Sequence, residues 1–166
     1  TNATSKSGKV TDLRNLKDKN KVKLVYDIHH SKFTNLVKET LDENGNVIIV
    51  DCHTFSNTPF HSDLIKEVDR PDICIGIDDF HTPTWLTNNI KKGFEDNNFS
   101  VKINNPYSGT IVPLEFFNKN KNVYSIMIEV NRKLFTKQNE ISFLLLLKLN
   151  TIIKNIFENE IIKRNK

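Results

Sequence analysis

Three short stretches of this sequence group side chains able to do acid–base or metal chemistry: Asp51-Cys52-His53, Asp78-Asp79-Phe80-His81 and Glu129-Val130-Asn131-Arg132. A fourth, Asn104-Asn105-Pro106-Tyr107-Ser108-Gly109-Thr110, combines strong turn chemistry with a phenol. In the first, strand alternation puts Asp51 and His53 on one face and Cys52 on the other. A histidine leaving a buried strand at its carboxyl end can be a metal ligand or a general base; it can equally be a satisfied histidine at the core rim. The carboxylates of the second stretch form a polar cluster or serve as caps, with Thr82 and Thr84 as N-cap candidates before Trp85. In the fourth, Tyr107 offers its hydroxyl and Gly109 permits close backbone approach to a ligand, although surface loops of this composition are common. Glu129 closes a run of Ile, Met and Ile, and glutamate is depleted in strands. Burial there raises a carboxyl pKa, which is what a general base requires; pairing with Arg132 is the alternative.

These groups need elements to position them. Apolar residues recur at Leu24, Ile28, Phe33, Leu36, Val37 and Leu41, a helical spacing that ends at Glu43-Asn44-Gly45, a C-cap signal. Val47-Ile48-Ile49-Val50 reads as a buried strand leading into Asp51, and Ile73 to Ile77 as a second. A helix is expected over Trp85 to Phe94 and a short strand over Phe99 to Ile103. Val123 to Val130 alternates: Tyr124, Ile126, Ile128 and Val130 face one way, Ser125, Met127 and Glu129 the other. A long helix is expected from Gln138 to Ile162. Helices alternating with buried strands predict a three-layer α/β/α sandwich around a mixed central sheet. Ligands of such sheets gather at the carboxyl ends of the strands.

The 166 residues suit one domain spanning 1–166, and 37% hydrophobic with 27% charged residues suits a globular chain. The formal charge of +4 is small and much of it lies near the ends, unlike the basic stripe of a nucleic-acid binder. Cys52 and Cys74 form no disulfide framework, which points to a reducing, cytoplasmic setting. The longest apolar run, Phe143 to Leu147, is too short to cross a bilayer, and Thr1 to Lys9 has no apolar leader core.

Taken in order, several motifs resemble the N-formylglutamate amidohydrolase family: Tyr26-Asp27-Ile28-His29-His30, Ile49-Val50-Asp51-Cys52-His53-Thr54-Phe55, Arg70-Pro71-Asp72-Ile73-Cys74-Ile75-Gly76 with Phe80-His81-Thr82, Asn105-Pro106-Tyr107-Ser108-Gly109, and Ser125 to Arg132. The resemblance covers about residues 20–136, the C-terminal portion of such a domain. The family looks related to zinc carboxypeptidases and aspartoacylases. The resemblance implies zinc-dependent hydrolysis of N-formyl-L-glutamate to formate and L-glutamate, as in histidine breakdown. It implies His53 as a zinc ligand, Glu129 as the base and Tyr107 beside the substrate. Arg70, Asn105, Ser108, Arg132 and His81 are the implied substrate-binding residues, with Arg70 or Arg132 suited to a bidentate grip on a carboxylate.

The partner implied is a small acyl-amino-acid, not a nucleic acid or a membrane. The family's other two ligands, an early His and an acidic group near a His-Ser-Gly motif, have no match in residues 1–28. An incomplete zinc site is therefore expected, with His30 and His81 as substitute ligands to consider. Two further functions stay open: a related zinc amidohydrolase acting on another N-acyl amino acid, and a non-catalytic remnant that binds a ligand or partner on the same scaffold.

Overall fold

A computed structural model describes residues 2–4, 10–12, 18–137 and 140–164. Two short strands, β1 (Asn2–Thr4) and β2 (Val10–Asp12), pair antiparallel with each other. Helix α1 follows over Lys19–Asn44 and ends at Gly45, whose φ of 72° lets its amide return to the Leu41 carbonyl at 2.8 Å. The β-branched run opens β3 (Val47–Phe55), longer than the sequence suggests. Next come β4 (Ile73–Gly76), α2 (Thr84–Glu95), β5 (Val101–Ile103) and β6 (Val123–Asn131). A small hairpin, β7 (Thr136–Lys137) and β8 (Glu140–Ile141), precedes α3 (Phe143–Arg164).

The last helix therefore starts later than the Gln138 expected from its apolar spacing. Thr136 and Ile141, both β-branched, are used as hairpin partners instead. The Ser142 carbonyl then accepts the Leu146 amide and begins the first turn.

Four strands form a mixed sheet in the order β3-β6-β4-β5. β3 and β6 run parallel, β4 and β5 run parallel, and the two pairs oppose each other across β6 and β4. Ile73, Ile75, Ile126 and Ile128 project from one face into a core with Leu86, Ile90 and Phe94 of α2 and Leu149 and Ile152 of α3. The other face packs Val47, Ile49 and Val123 against Val37 of α1 and against Val112 and Phe116. That is the three-layer α/β/α arrangement.

The α1 layer is partial. Phe33, Val37 and Leu41 reach the core, at the spacing of one helix face, while Leu24, Ile28 and Leu36 are exposed. The helical period is real, but among the described residues the first half of α1 has no sheet beneath it.

Candidate active site

The site face is built by register. In the parallel pair His53 lies opposite Glu129, and in the antiparallel pair Glu129 lies opposite Cys74, so all three share one face in a row across the sheet. Asp51, two residues before His53, shares that face, and its Oδ1 lies 2.7 Å from His53 Nε2.

Glu129 is 8% exposed, and its Oε2 is buried with no hydrogen-bond partner among the described residues. Burial pushes its carboxyl up; His53 and Arg132 oppose the rise and Asp51 adds to it. An orphaned carboxylate oxygen is costly in a folded interior and calls for a reason. Abstraction of a proton from a bound molecule is such a reason. Arg132 does not pair directly with Glu129. Its Nη1 reaches the Thr54 carbonyl at 3.3 Å, and its guanidinium lies over the Phe60 ring at 5.9 Å.

Tyr107 reaches this row by an indirect route. After β5 the chain turns at Asn104, whose Oδ1 accepts the Ile77 amide, then doubles back along the site face. The Tyr107 carbonyl accepts the Cys74 thiol at 3.2 Å, and Ser125 Oγ donates to the Ile111 carbonyl. Gly76 permits this path: a Cβ there would collide with the Gly109 carbonyl and with Met127. The close backbone approach expected at Gly109 is thus met at Gly76. Gly109 supplies a φ of 85°.

The hydroxyl of Tyr107 is engaged by Asp63 and Arg70. It donates to Asp63 Oδ2 at 3.2 Å and accepts from Arg70 Nη1 at 3.5 Å. Arg70 is correspondingly not a free carboxylate receptor. Its side chain is fully buried, and it donates to Asp63 Oδ2 at 2.7 Å and to the carbonyls of Ser56, Ile65 and Glu67. It ties the 56–70 segment together and stiffens the floor under Tyr107.

Burial alone would raise the Asp63 carboxyl, but the Phe60 amide, Arg70 and Tyr107 hold it below the ordinary carboxylate range. Since its folded pKa is lowered, Asp63 adds stability above the unfolded value of about 4, and that stability is lost as pH falls through the lower folded value. Asp63→Asn is expected to destabilise the protein at neutral pH by about 3–5 kcal/mol, the penalty for stranding a buried partner charge. Urea melts across the acid range should show the difference shrinking below about pH 4. A pH-independent difference would mean the node is not ionic.

His81 is a correction. It is completely buried, its Nδ1 lies 2.7 Å from the Val123 carbonyl, and its Nε2 accepts the Asn118 amide. Val123 begins β6 whereas Glu129 is near its end, so His81 sits at the opposite end of the sheet. The carboxyl-end rule fails for it because β4 runs against β3 and β6. The neighbouring polar groups cap a turn, not α2. Asp78 Oδ1 accepts the Phe80 and His81 amides, Thr82 Oγ1 donates to the Ser125 carbonyl, and α2 begins after Pro83 without a side-chain cap.

Asn105 donates to Glu67 Oε2 at 2.8 Å while its own Oδ1 is buried without a partner among the described residues. Ser108 is exposed beside it. The His30 ring meets that of Tyr26 at a 4.0 Å centroid distance, tilted by 38°, and lines a separate groove with Glu115. Asp63 and Cys74 are the residues that sequence reasoning missed. Cys74 could have been found by pairing the strands; Asp63 lies in an irregular segment with no periodic signal.

Asp51 and His53 are ligand-type groups, but the described residues contain no cluster of three or more His, Cys, Asp or Glu able to hold a metal ion. Taken by themselves they do not fit a catalytic zinc, which takes three protein ligands and an open position.

The chain is a layered α/β scaffold with Asp51, His53, Glu129 and Cys74 on one face of its sheet. The N-formylglutamate amidohydrolase family model matches residues 7–136, and the chain belongs to that family. The match begins upstream of residue 20, where the motif resemblance starts. Among solved structures, the fold is similar to the crystal structure of N-formylglutamate amidohydrolase from Ralstonia eutropha JMP134. The TM-score is 0.66 at 18% identity, over 85% of this chain and 54% of that one, so this chain spans about half of that protein's length. No curated protein matches.

Proposed function

We propose that the chain acts on N-formyl-L-glutamate, cleaving its formamide bond to give formate and L-glutamate in histidine breakdown. The observation that carries this reading is Glu129, with its unpartnered buried oxygen beside His53. In this scheme Glu129 takes a proton from the attacking water as its oxygen bonds to the formyl carbon. It then returns the proton to the glutamate nitrogen as the C–N bond breaks.

In this reading Tyr107, Asn105 and Ser108, all on the doubled-back loop, are the residues assigned to the substrate. With Arg70 committed internally, Arg132 is the one of these two guanidiniums left to grip a substrate carboxylate, since its hydrogen bonds are long contacts to Thr54. Zinc at His53 belongs to the same proposal. The ligand set of the described residues is incomplete for it, so no step is routed through the metal. The chain is read as the C-terminal portion of one such domain, cytoplasmic, with a small acyl-amino-acid as its partner and neither nucleic acid nor membrane. Among the described residues no helix is long and apolar enough to cross a membrane.

A second reading is that the scaffold binds its ligand without turning it over; among the described residues no three ligand-type groups come together. A related substrate bearing another acyl group is the remaining enzyme alternative. Calorimetric titration tests the substrate class in all cases. N-formyl-L-glutamate is expected to bind saturably, and Arg132→Ala to weaken it by roughly 10–150-fold, the loss of one charge-assisted pair. Binding that is absent, or indifferent to Arg132, would remove an amino-acid carboxylate from consideration.

A further inference from the structure

Asn131 closes β6 two residues after Glu129, on the same face, and is completely buried. A buried amide is costly unless its donors and its acceptor are used. Here they are. Its Nδ2 donates to the Pro71 carbonyl at 2.9 Å and to Asn57 Oδ1 at 3.0 Å, and its Oδ1 accepts the Lys133 amide at 3.1 Å. Its backbone amide donates to the Asp72 carbonyl at 2.8 Å. One side chain thus joins the end of β6 to both ends of the 57–71 stretch and to the turn that follows.

That turn is a single 3-10 turn, Arg132–Leu134, and the Asn131 side chain caps it. The Arg132 carbonyl closes it by accepting the amide of the buried Phe135 at 3.2 Å. Had β6 run on, alternation would carry Arg132 to the face of Val130, away from Glu129. The turn releases it from that alternation. Its guanidinium lies at the Thr54 carbonyl and over the Phe60 ring, and its charge bears on Glu129. Those hydrogen bonds are long and weak, so they do little to place the guanidinium by themselves. The backbone that carries it is what is firmly held.

We propose that Asn131 is a positioning residue: by capping this turn it sets the direction in which Arg132 presents its guanidinium to a substrate carboxylate. The inference rests on the proposed role of Arg132 and extends it from the group that grips to the group that aims it. The two ends of the Asn131 amide have separate roles. The Nδ2 donors fasten the irregular 57–71 segment, which governs stability. The Oδ1 acceptor shapes the turn, which governs where Arg132 points. Asn131→Ser separates the two, because a serine hydroxyl is long enough to cap a turn and too short to span to Pro71 and Asn57.

Both Asn131→Ala and Asn131→Ser should lower the urea midpoint, since each strands the Pro71 carbonyl and Asn57 Oδ1. Only Asn131→Ala should disturb Arg132. In a nitrogen–proton correlation spectrum the Arg132 Nε–H signal is identified by its loss in Arg132→Ala. It is expected to stand apart from that of a solvated arginine in the parent and in Asn131→Ser, and to move to the solvated position in Asn131→Ala. N-formyl-L-glutamate, titrated calorimetrically, should bind Asn131→Ser as it binds the parent, and Asn131→Ala roughly 5–30-fold more weakly, the worth of a lost cap. In an Arg132→Ala background, adding Asn131→Ala should cost no further affinity. If Asn131→Ala does not fold, Asn131→Cys replaces it, near serine in size but with sulfur as only a weak acceptor. An Arg132 signal unmoved by loss of the cap overturns the proposal. So does an equal loss of affinity in Asn131→Ser and Asn131→Ala, or a loss that persists without Arg132. A parent that does not bind, or binds indifferently to Arg132→Ala, defeats the proposed grip itself; the Nε–H signal then decides on its own whether Asn131 aims Arg132.

Discussion

Replacing Glu129 by Gln, in a form of the protein that holds stoichiometric zinc, is expected to leave metal content unchanged and to lower formate release by about 10²–10⁴-fold. The substitution preserves side-chain size and the neighbours of His53, so binding should change little. What it removes is the acceptor for the proton of water. The size of the loss follows from the setting: a carboxyl raised by burial, with one oxygen unsatisfied, accepts a proton more readily than an exposed glutamate does. Turnover at the parent rate, with metal confirmed, would show that another group is the base.

The second large effect concerns the 166-residue chain as it stands. It is expected to bind zinc substoichiometrically and to release formate at or near background. A three-ligand centre cannot be made from His53 and Asp51 alone, and those two are already joined at 2.7 Å. Arg132 and the doubled-back loop remain in place, so N-formyl-L-glutamate should still bind. Metal analysis beside a formate assay on the purified chain checks this. Stoichiometric zinc with robust release would mean that the ligands lie elsewhere.

Much of the frame was readable before any coordinates. The β-branched run of β3 and the alternation of β6 fixed which residues share a face, and hence that Asp51 and His53 stand together and Glu129 opposes Ile128. Strand direction is not written in such local patterns. β4 carries the same buried signature as β3 yet runs the other way, which is why His81 looked well placed and lies at the far end. The role of Arg70 was equally hidden, because its partners at Ser56, Asp63 and Tyr107 are brought to it by irregular chain. For α1 the period was correct, but period reports which side of a helix is apolar and not whether anything covers it.

The order in which the sheet is threaded has a consequence during synthesis. β6 joins β3 to β4 from the middle, yet it is the last of the four strands to leave the ribosome, some seventy residues after β3. Until Asn131 has emerged, β3 and the β4–β5 pair have nothing between them, and the isoleucines of both remain uncovered. Ladders that close across such sequence separations form slowly and leave sticky intermediates exposed. Translation arrested before residue 123 should therefore yield chains that chaperones hold rather than release.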